Sequence, residues 1–391
     1  MAVGGRLISR NFVFLVAGNL FLFLAYLSYQ LLPLHIKALG GGETDIGWVM
    51  GAPNLMSVVL TPVFGIFVDR FGRKPFLLMG QCCVAVSCGG FLIAGDSFLL
   101  FAALRTVQNV GVAMAFTAGG VLVADTAPKG QLAQALGVYG MFGMVAHALA
   151  PAIGEFVISA GGFYSLFVLT VAYGVVGLSL VSRVREAAPP AAAGESDSIW
   201  RVFIRAGFTQ IMLLGFLNGA ALGTVTTYVP TYIRSRGIQW ISLFFITYTV
   251  TAIFIRVGFG RLSDRLGHRR IIAPAFFVLI AGVWFLSEAK AQWMFALAGV
   301  LNGTAHGFLF PAINALALNR SSDGNFGKAQ SLFGAAFSAG MTLGVFSHGV
   351  IAAAFGYSAM FLSLAGWILV GLLIFLVWDR RDRRASDGYT A

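Results

Sequence analysis

Charged residues are scarce in this chain of 391 residues, of which only 10% are Asp, Glu, Lys or Arg. A soluble domain carries roughly 25% charged residues. This chain therefore has too few charged residues to form the water-facing surface of a soluble protein of its size. Hydrophobic residues make up 58% of the chain, and apolar stretches long enough to cross a bilayer as helices recur along its whole length. The short alternating strands of a membrane barrel do not fit this pattern. The composition therefore predicts an all-helical protein that crosses the membrane many times.

Cysteine is also rare. The three cysteines, Cys82, Cys83 and Cys88, lie together in one apolar stretch, without the spacing of a metal site and without a partner elsewhere. No nucleophile–base pair or metal cluster stands out in the sequence, and no soluble catalytic domain is appended. We therefore expect neither an enzyme nor a bound cofactor.

The apolar stretches predict twelve membrane spans in two sets of six. The spans are expected at 11–36, 46–68, 75–94, 98–124, 132–159 and 163–182, and then at 207–231, 240–262, 270–287, 292–318, 328–353 and 357–378. A polar, Pro/Ala-rich segment between the two sets is typical of a flexible linker. The predicted domains are a first six-helix half (1–182), a linker (183–206), a second six-helix half (207–378) and a tail (379–391).

The balance of charge is basic, with 26 Lys and Arg against 15 Asp and Glu, which raises the question of nucleic-acid binding. Most of the bases, however, fall in alternate connecting segments and near the two ends of the chain. This asymmetry is the positive-inside pattern of membrane proteins. It predicts a bacterial inner-membrane protein with both termini in the cytoplasm and with no nucleic-acid partner.

The two halves repeat one another. "GIFVDRFGRK" (65–74) follows the second span, and "GRLSDRLGHRR" (260–270) repeats it in the second half. Segments 129–140 and 323–334 also match, and Gly162-Phe163 corresponds to Gly356-Tyr357. Internal repeats are the hallmark of secondary transporters, whose halves move about a site near the middle of the bilayer. One chain holds both halves of such a pathway, so we expect a monomer.

The repeated loop combines an acid, several bases and two glycines at fixed positions. Asp69 falls at the C-terminal end of a helix, where an acid is unfavourable unless a base or another helix N-terminus meets it. Gly65 lets a second helix approach closely, and Gly72 permits the reversal into the next span. The loop is therefore interpreted as a contact between helices that opens with the cytoplasmic side. A purely topogenic basic loop explains the bases but not the acid and the glycines.

This loop resembles the signature loop of the major facilitator superfamily, G-x-x-x-D-R-x-G-R-K, and the resemblance extends over the full chain. It implies two six-helix bundles, alternating access and a cytoplasmic gate at the loop. His268 stands in the second copy where the first copy has Arg73. The expected gate residues are Gly65, Asp69, Arg70, Gly72, Arg73, Lys74, Gly260, Asp264, Arg265 and Arg269.

A motif in the fourth span resembles that of proton-coupled members of the superfamily. Arg105, Gln108 and Gly111 fit the pattern R-x-x-Q-G-x-G, with Asn109 in place of one glycine. A buried guanidinium is always charged and needs acceptors. Arg105 is therefore expected to relay protons or to bind a substrate carboxylate, with a structural salt bridge as the alternative.

A motif in the fifth span resembles the antiporter signature G-P-x-x-G-G, with Ala150 and Glu155 in place of two glycines. The resemblance implies that Pro151 and Gly154 bend this span and that the bundle interface is held shut here. Glu155 is the only acid that we place inside a span. An acid at the bilayer centre costs roughly 2.5–3.5 kcal/mol, so it should be paired or functional.

Two interpretations of Glu155 stay open. In one, Glu155 exchanges a proton in each transport cycle, with Arg105 and His147 as partners in the coupling. In the other, it lies in water near the outer end of its span.

Polar residues scattered along the other spans suggest a mixed polar and aromatic pocket. Each of them alone is more often a hydrogen bond between helices than a ligand contact. For Arg256, snorkelling towards the cytoplasm is the alternative. The expected cavity residues are Asn19, Asn54, Gln108, Asn109, Asn218, Tyr228, Arg256, Asn302 and His306.

The sequence therefore predicts a secondary transporter that exports a small organic molecule, such as a drug or metabolite, in exchange for protons. Uptake by symport or facilitated diffusion is the alternative, because exporters often carry an acid in the first span and this chain does not. A membrane receptor that transports nothing is the remote alternative. The fold alone does not fix the substrate of such a transporter.

Overall fold

A computed structural model describes residues 9–56, 58–60, 72–128, 131–186, 208–266, 268–319 and 326–387, without the side chains at 133, 260–269, 318–331 and 379–387. Every regular element in these ranges is helical. The helices are α1 (Arg10–Leu27), α2 (Leu32–Ala38), α3 (Glu43–Gly51), α4 (Arg73–Phe91), α5 (Phe98–Thr126), α6 (Leu132–Ser182), α7 (Phe208–Ser235), α8 (Ser242–Leu266), α9 (His268–Ser287), α10 (Gln292–Asn319) and α11 (Phe326–Asp387). A 3₁₀ turn, Ser28–Leu31, joins α1 to α2.

Two of the helices contain two spans each. The backbone leaves the helical region at Gly162 in α6 and at Gly356 in α11, where φ is 72° and 82°. Glycine adopts this left-handed conformation without steric cost. The sequence repeat pairs the same two glycines, so the chain reverses at the same point in each half. We call 132–161 and 163–182 the two arms of α6, and 326–355 and 357–387 the two arms of α11.

Within the described ranges, nine helical stretches are long and apolar enough to cross a membrane. Two of the nine are the double spans of α6 and α11. The predicted second span is described only as far as residue 60. The observed bounds follow the predicted ones closely, because polar caps and glycines mark the helix ends. Ser97, for example, begins α5 by accepting a hydrogen bond from the backbone N–H of Leu100 at 3.3 Å.

Helix packing divides the described chain into two groups. In the first, α1 packs on α6, and α4 packs on α5 and α6; in the second, α7 packs on α11, and α10 packs on α8 and α9. Glycines allow these close approaches. A Cβ atom at Gly80 of α4 would lie 2.5 Å from the carbonyl oxygen of Gly111 in α5, and one at Gly340 of α11 would clash with the carbonyl oxygen of Phe216 in α7. Small residues at crossings are how membrane helices associate.

Among the described residues, the two groups contact one another at one end. We define the outer end as the end that carries the turns at 39–42, 92–97, 162, 236–241, 288–291 and 356; the positive-inside pattern predicts that it faces away from the cytoplasm. The inner end is the opposite end, which carries the repeated loops. At the outer end α2 and α3 pack on α7 and α11, and the first arm of α6 packs on α8.

Candidate substrate cavity and its outer closure

A cavity of about 340 Å³ lies between the two groups of helices. Side chains from α1, α5 and the first arm of α6 line it on one side, and side chains from α7 and α11 line it on the other. Its lining mixes aromatic rings with amides and hydroxyls. Four of the residues predicted for the site lie in it: Asn54, Arg105, Asn109 and His147.

Arg105 is the charged residue in the described lining of the cavity, and its side chain is 5% exposed. Its Nη1 atom donates to Oε1 of Gln108 at 2.7 Å and to the carbonyl oxygen of Tyr26 at 3.4 Å. The guanidinium also lies over the ring of Tyr26, 4.5 Å from the centroid. Its Nε atom is buried without a hydrogen-bond partner. Neither of the two ion pairs in the described part of the chain includes Arg105.

Amide side chains complete the polar part of the cavity. Oδ1 of Asn109 accepts from the Tyr26 hydroxyl at 2.9 Å, and its Nδ2 atom donates to the carbonyl oxygen of Arg105 at 3.0 Å. The Nε2 atom of Gln30 lies 3.1 Å from the Nδ1 atom of His147. Gln30, one of the polar residues that the sequence suggests for the cavity, lines it as well.

The other predicted cavity residues of the first half do not line the cavity. Asn19 donates to the carbonyl oxygen of Tyr139 at 2.9 Å and joins α1 to α6. Gln108 is fully buried behind Arg105, and its Nε2 atom lies 3.4 Å from the sulfur of Cys88. Both residues make hydrogen bonds between or within helices, as most polar residues in membrane spans do.

The predicted residues of the second half are also distributed elsewhere. Asn218, Asn302 and His306 line a separate, very small pocket inside that half. Arg256 lies over the ring of Phe310, 5.6 Å from its centroid. Arg256 is also near enough to His147 to interact with it electrostatically, which brings the second half of the chain close to the cavity wall.

Glu155 lies at the outer end, where it joins the two halves. Its Oε1 atom accepts from the backbone N–H of Ile241 at 3.0 Å, and its Oε2 atom accepts from that of Ser242 at 3.0 Å. Ser242 is the first residue of α8, so these donors belong to a helix N-terminus, where backbone N–H groups lack partners and the helix dipole favours an anion. The structure does not bring Glu155 into contact with Arg105. The carboxylate is half-buried, which is intermediate between the two predictions, a site inside the span and a site in water.

A second polar contact closes the outer end. Nζ of Lys37 lies 2.6 Å from Oε1 of Glu43 at the start of α3, and the Tyr357 hydroxyl donates to the same oxygen at 3.0 Å. Tyr228, predicted for the cavity, instead donates to the carbonyl oxygen of Val345 at 2.8 Å. Burial raises the pKa of Glu43, but the hydrogen bond from Lys37, with others from the backbone and Tyr357, brings that pKa below its usual value.

Glycines form the third outer contact, between α3 and α11. A Cβ atom at Gly47 would lie 3.3 Å from the carbonyl oxygen of Val345, and one at Gly51 would lie 3.3 Å from that of Thr342. A Cβ atom at Gly349 would clash with the hydroxyl of Tyr228 and would lie 2.9 Å from the carbonyl oxygen of Glu43. The two helices therefore touch through backbone, and the outer end of the cavity is closed.

The helix of the fifth span shows no break at the predicted bend. The helix continues through Pro151, and the non-helical residue of α6 is Gly162. Gly154 faces neighbouring side chains, since a Cβ atom there would lie 2.9 Å from Cδ1 of Leu31 and 3.1 Å from Cδ1 of Leu166. The bend itself stays a prediction.

The predicted inner gate falls largely outside the described residues. Gly65, Asp69 and Arg70 lie outside them, and for Gly260, Asp264, Arg265 and Arg269 the structure describes the backbone alone, as parts of α8 and α9. The first copy of the loop is described from Gly72, whose φ is 93°. A positive φ there agrees with the tight reversal expected of this glycine.

The start of α4 shows two contacts that sequence reasoning missed. The carboxylate of Glu186 accepts from the backbone N–H groups of Arg73 at 2.6 Å and Lys74 at 3.2 Å. Nε of Arg73 lies 3.2 Å from Oδ2 of Asp125. The only available signal was that Asp125 and Glu186 are acids at the inner ends of their spans, among the bases of that face.

Two helical groups around a shared cavity that is closed at one end are the arrangement of a secondary transporter, which exposes its site to one side of the membrane at a time. The model of the Major Facilitator Superfamily matches residues 12–287 and 238–390 of this chain. The chain belongs to that superfamily. The predicted all-helical membrane fold with two six-helix bundles, and the predicted class of transporter, are confirmed.

The relatives include efflux pumps. The multi-drug resistance efflux pump PmrA of Streptococcus pneumoniae is 23% identical over 369 residues, with 89% of this chain and 90% of PmrA covered. The multidrug resistance protein MdtG of Salmonella paratyphi A is 25% identical over 370 residues, with 90% of each chain covered. The crystal structure of a point mutant of the nucleoside transporter NupG has a TM-score of 0.79 at 13% identity and covers 94% of this chain and 99% of that chain. This last likeness concerns the fold alone.

Proposed function

We propose that this protein exports a small organic molecule across the bacterial inner membrane by alternating access, in exchange for protons. The observation that carries the proposal is the cavity between the two halves, whose outer end is closed by contacts across the halves. An exporter in this state takes its substrate from the cytoplasmic side. The efflux pumps among the relatives support the outward direction. Both termini then face the cytoplasm, and a single chain suffices because it contains both halves.

In this proposal Glu155 locks the outer end and does not carry the proton. A helix N-terminus binds an anion, so the contact with α8 requires the ionised carboxylate while the outer end is closed. A proton carrier in an antiporter has to keep its proton while the outer end closes behind it. The contact of Glu155 with α8 instead needs a carboxylate without a proton while the outer end is closed. Glu155 therefore stabilises the closed outer end and does not carry the proton.

His147 is then the group that we propose for proton binding. Of the described side chains that line the cavity, His147 is the one whose residue type commonly binds and releases a proton, since the guanidinium of an arginine keeps its charge. The groups that face His147 are Gln30 at 3.1 Å, Arg256 and His306. A proton on His147 places a second positive charge next to Arg256, and the repulsion makes the packing of the first arm of α6 on α8 depend on the protonation of His147.

Proton release from acidified everted membrane vesicles tests this function. A dye that reports the pH gradient would be followed while lipophilic cations, organic acids, amphenicols and sugars are added one at a time. We expect dequenching with at least one compound in the wild type, loss of dequenching in His147→Gln, and a retained response in Glu155→Gln. Dequenching that is lost only in Glu155→Gln would restore Glu155 as the carrier and contradict the proposed lock.

Facilitated diffusion or uptake is the second candidate, and one observation favours it. No carboxylate lies in the described lining of the cavity, although carboxylates are common proton-binding groups in pumps and transporters. Exchange of a radiolabelled compound between the two sides of a proteoliposome, with no pH gradient and no dependence on pH between 6 and 8, would support this candidate and would remove protons from the cycle.

A further inference from the structure

In the described part of the chain, the middle of the protein carries positive charge without a matching acid. Of the described acidic residues, all but Glu155 fall near helix ends or in connecting segments. Glu155, the one placed deepest in a span, is held by backbone N–H groups at the outer end. Arg105 lines the cavity, and Arg256 interacts electrostatically with His147 in the cavity wall. The cavity is therefore electropositive.

Arg105 has unused capacity to bind an anion. A guanidinium has five N–H donors in a planar fork, and the two described hydrogen bonds from Arg105 both use Nη1. Its Nε atom is buried without a hydrogen-bond partner, and the side chain as a whole is only 5% exposed. Both acceptors of Nη1 are neutral groups. A buried guanidinium whose charge is not balanced by an acid is costly to maintain, and a bound carboxylate supplies the missing partner in a bidentate geometry.

The rest of the cavity suits an aromatic body. The rings of Phe23 and Phe116 both line it, with centroids 5.7 Å apart in an edge-to-face arrangement. The ring of Tyr26, over which the Arg105 guanidinium lies, also lines the cavity. A volume of about 340 Å³ is at the small end of ligand pockets, which measure roughly 300–1,000 Å³.

We propose that the cavity selects aromatic organic anions: the carboxylate of the substrate pairs with Arg105, and its rings pack against Phe23 and Phe116. Lipophilic cations are excluded, because no described acid lines the cavity to pair with them and Arg105 repels them. This inference deepens the proposed function and rests on it, since the cavity is taken to be the transport site. Arg105 becomes a residue that binds the substrate and sets its specificity.

Three probes that share one ring system test the charge preference directly. They are 2-naphthoate, neutral 2-naphthamide and the cation (2-naphthylmethyl)trimethylammonium. Binding would be measured by titration calorimetry on the full-length protein in nanodiscs. We expect the wild type to bind 2-naphthoate at least tenfold more tightly than the amide, and to bind the cation more weakly than the amide. Equal or tighter binding of the cation, or no measurable binding of 2-naphthoate, would overturn the proposal.

Variants then assign the preference to Arg105. Arg105→Gln should lose the preference for the anion over the amide, and Arg105→Lys should retain part of it, because the charge remains but the planar fork is lost. Arg234→Gln is the matched control, since Arg234 lines a different cavity at the outer end beside Glu155. If Arg234→Gln abolishes anion binding and Arg105→Gln does not, the site has been assigned to the wrong cavity. The wild-type series with three probes decides the charge preference even where a variant fails to fold.

Counterflow of the same three probes in proteoliposomes separates this inference from the proposed function. Binding of 2-naphthoate without any movement of it would contradict transport while leaving the charge preference intact. Movement of the cation, with no movement of the anion, would support transport and overturn the preference.

Discussion

The contact of Glu155 with the N-terminus of α8 yields the most direct prediction, because one side chain joins the two halves. Glu155→Gln removes the charge but keeps one acceptor oxygen, and Glu155→Ala removes both acceptors. A hydrogen bond to a charged group contributes about 1.5–3 kcal/mol and one between neutral groups about 0.5–1.5 kcal/mol. The carboxylate is half-buried and makes two such bonds at 3.0 Å, so we take the lower part of these ranges. Glu155→Gln should weaken the closed state by about 1–2 kcal/mol, or roughly 5- to 30-fold in the ratio of closed to open.

Distances between spin labels on the two halves measure this ratio. Asp96→Cys in the first half and Ala354→Cys in the second half place labels at exposed outer positions away from the described contacts of Glu155. The three native cysteines would be replaced by serine. We expect a longer distance to gain population in Glu155→Gln and to gain more in Glu155→Ala, because the alanine leaves both N–H groups of α8 without a protein acceptor.

Glu288→Gln is the matched control for the loss of an acid. Glu288 is exposed at the same end, and its described hydrogen bond is a long one, 3.5 Å from the adjacent Ser287. Its substitution should leave the distance distribution unchanged. Unchanged distances in Glu155→Ala would refute the lock, and an equal change in Glu288→Gln would show that the effect belongs to the charge of the outer surface in general.

Three further predictions concern closure and assembly. The pKa of Glu43 is lowered in the closed state despite its burial, chiefly by the hydrogen bond from Lys37. The contribution of Glu43 to closure is therefore present above the ordinary pKa of about 4.3 and is lost as pH falls through the lower pKa of the closed state. In the Glu155→Gln background, the same labels should show this opening as the pH falls, and Glu43→Gln should remove it. Gly51→Leu should shift the labels towards the open distance, because its side chain meets the backbone of α11, whereas Gly140→Leu should not, since nothing lies within 4 Å of a Cβ atom there. Gly340→Val should abolish the monodisperse elution of the purified protein, because the new side chain collides with the backbone of α7 inside the second half.

The architecture was predictable because its signals are local or periodic. Apolar stretches and the basic loops fixed the number of spans, and the repeat paired Gly162 with Gly356, which the structure shows as the two breaks in long helices. These features depend on the length of a stretch or on a glycine conformation, and neither requires knowledge of which helices touch.

Much of the site was not predictable, because it depends on the rotation of each helix and on distant partners. Asn19 and Asn54 are both amides in predicted spans, yet Asn19 joins α1 to α6 and Asn54 lines the cavity. Glu43 meets Tyr357 across 314 residues of sequence. Glu155 stood out as an acid in a span, but its partner is a pair of backbone N–H groups, and no residue type marks such a partner in a sequence.

The placement of charge connects the lock to the proposed substrate. Arg105 attracts an organic anion into the cavity, while Glu155 is held by α8 as long as the outer end stays closed. When the outer end opens, the Glu155 carboxylate loses its two donors and adds a negative charge to the exit, which disfavours the return of an anion from outside. An inside-negative membrane potential acts in the same direction, by about 2.3 kcal/mol per charge for each 100 mV. Outward movement of a monoanion is therefore favoured at both steps. A valinomycin-imposed potential should accelerate export of 2-naphthoate more than that of 2-naphthamide, because the entering proton carries one charge with either substrate and the leaving anion adds a second.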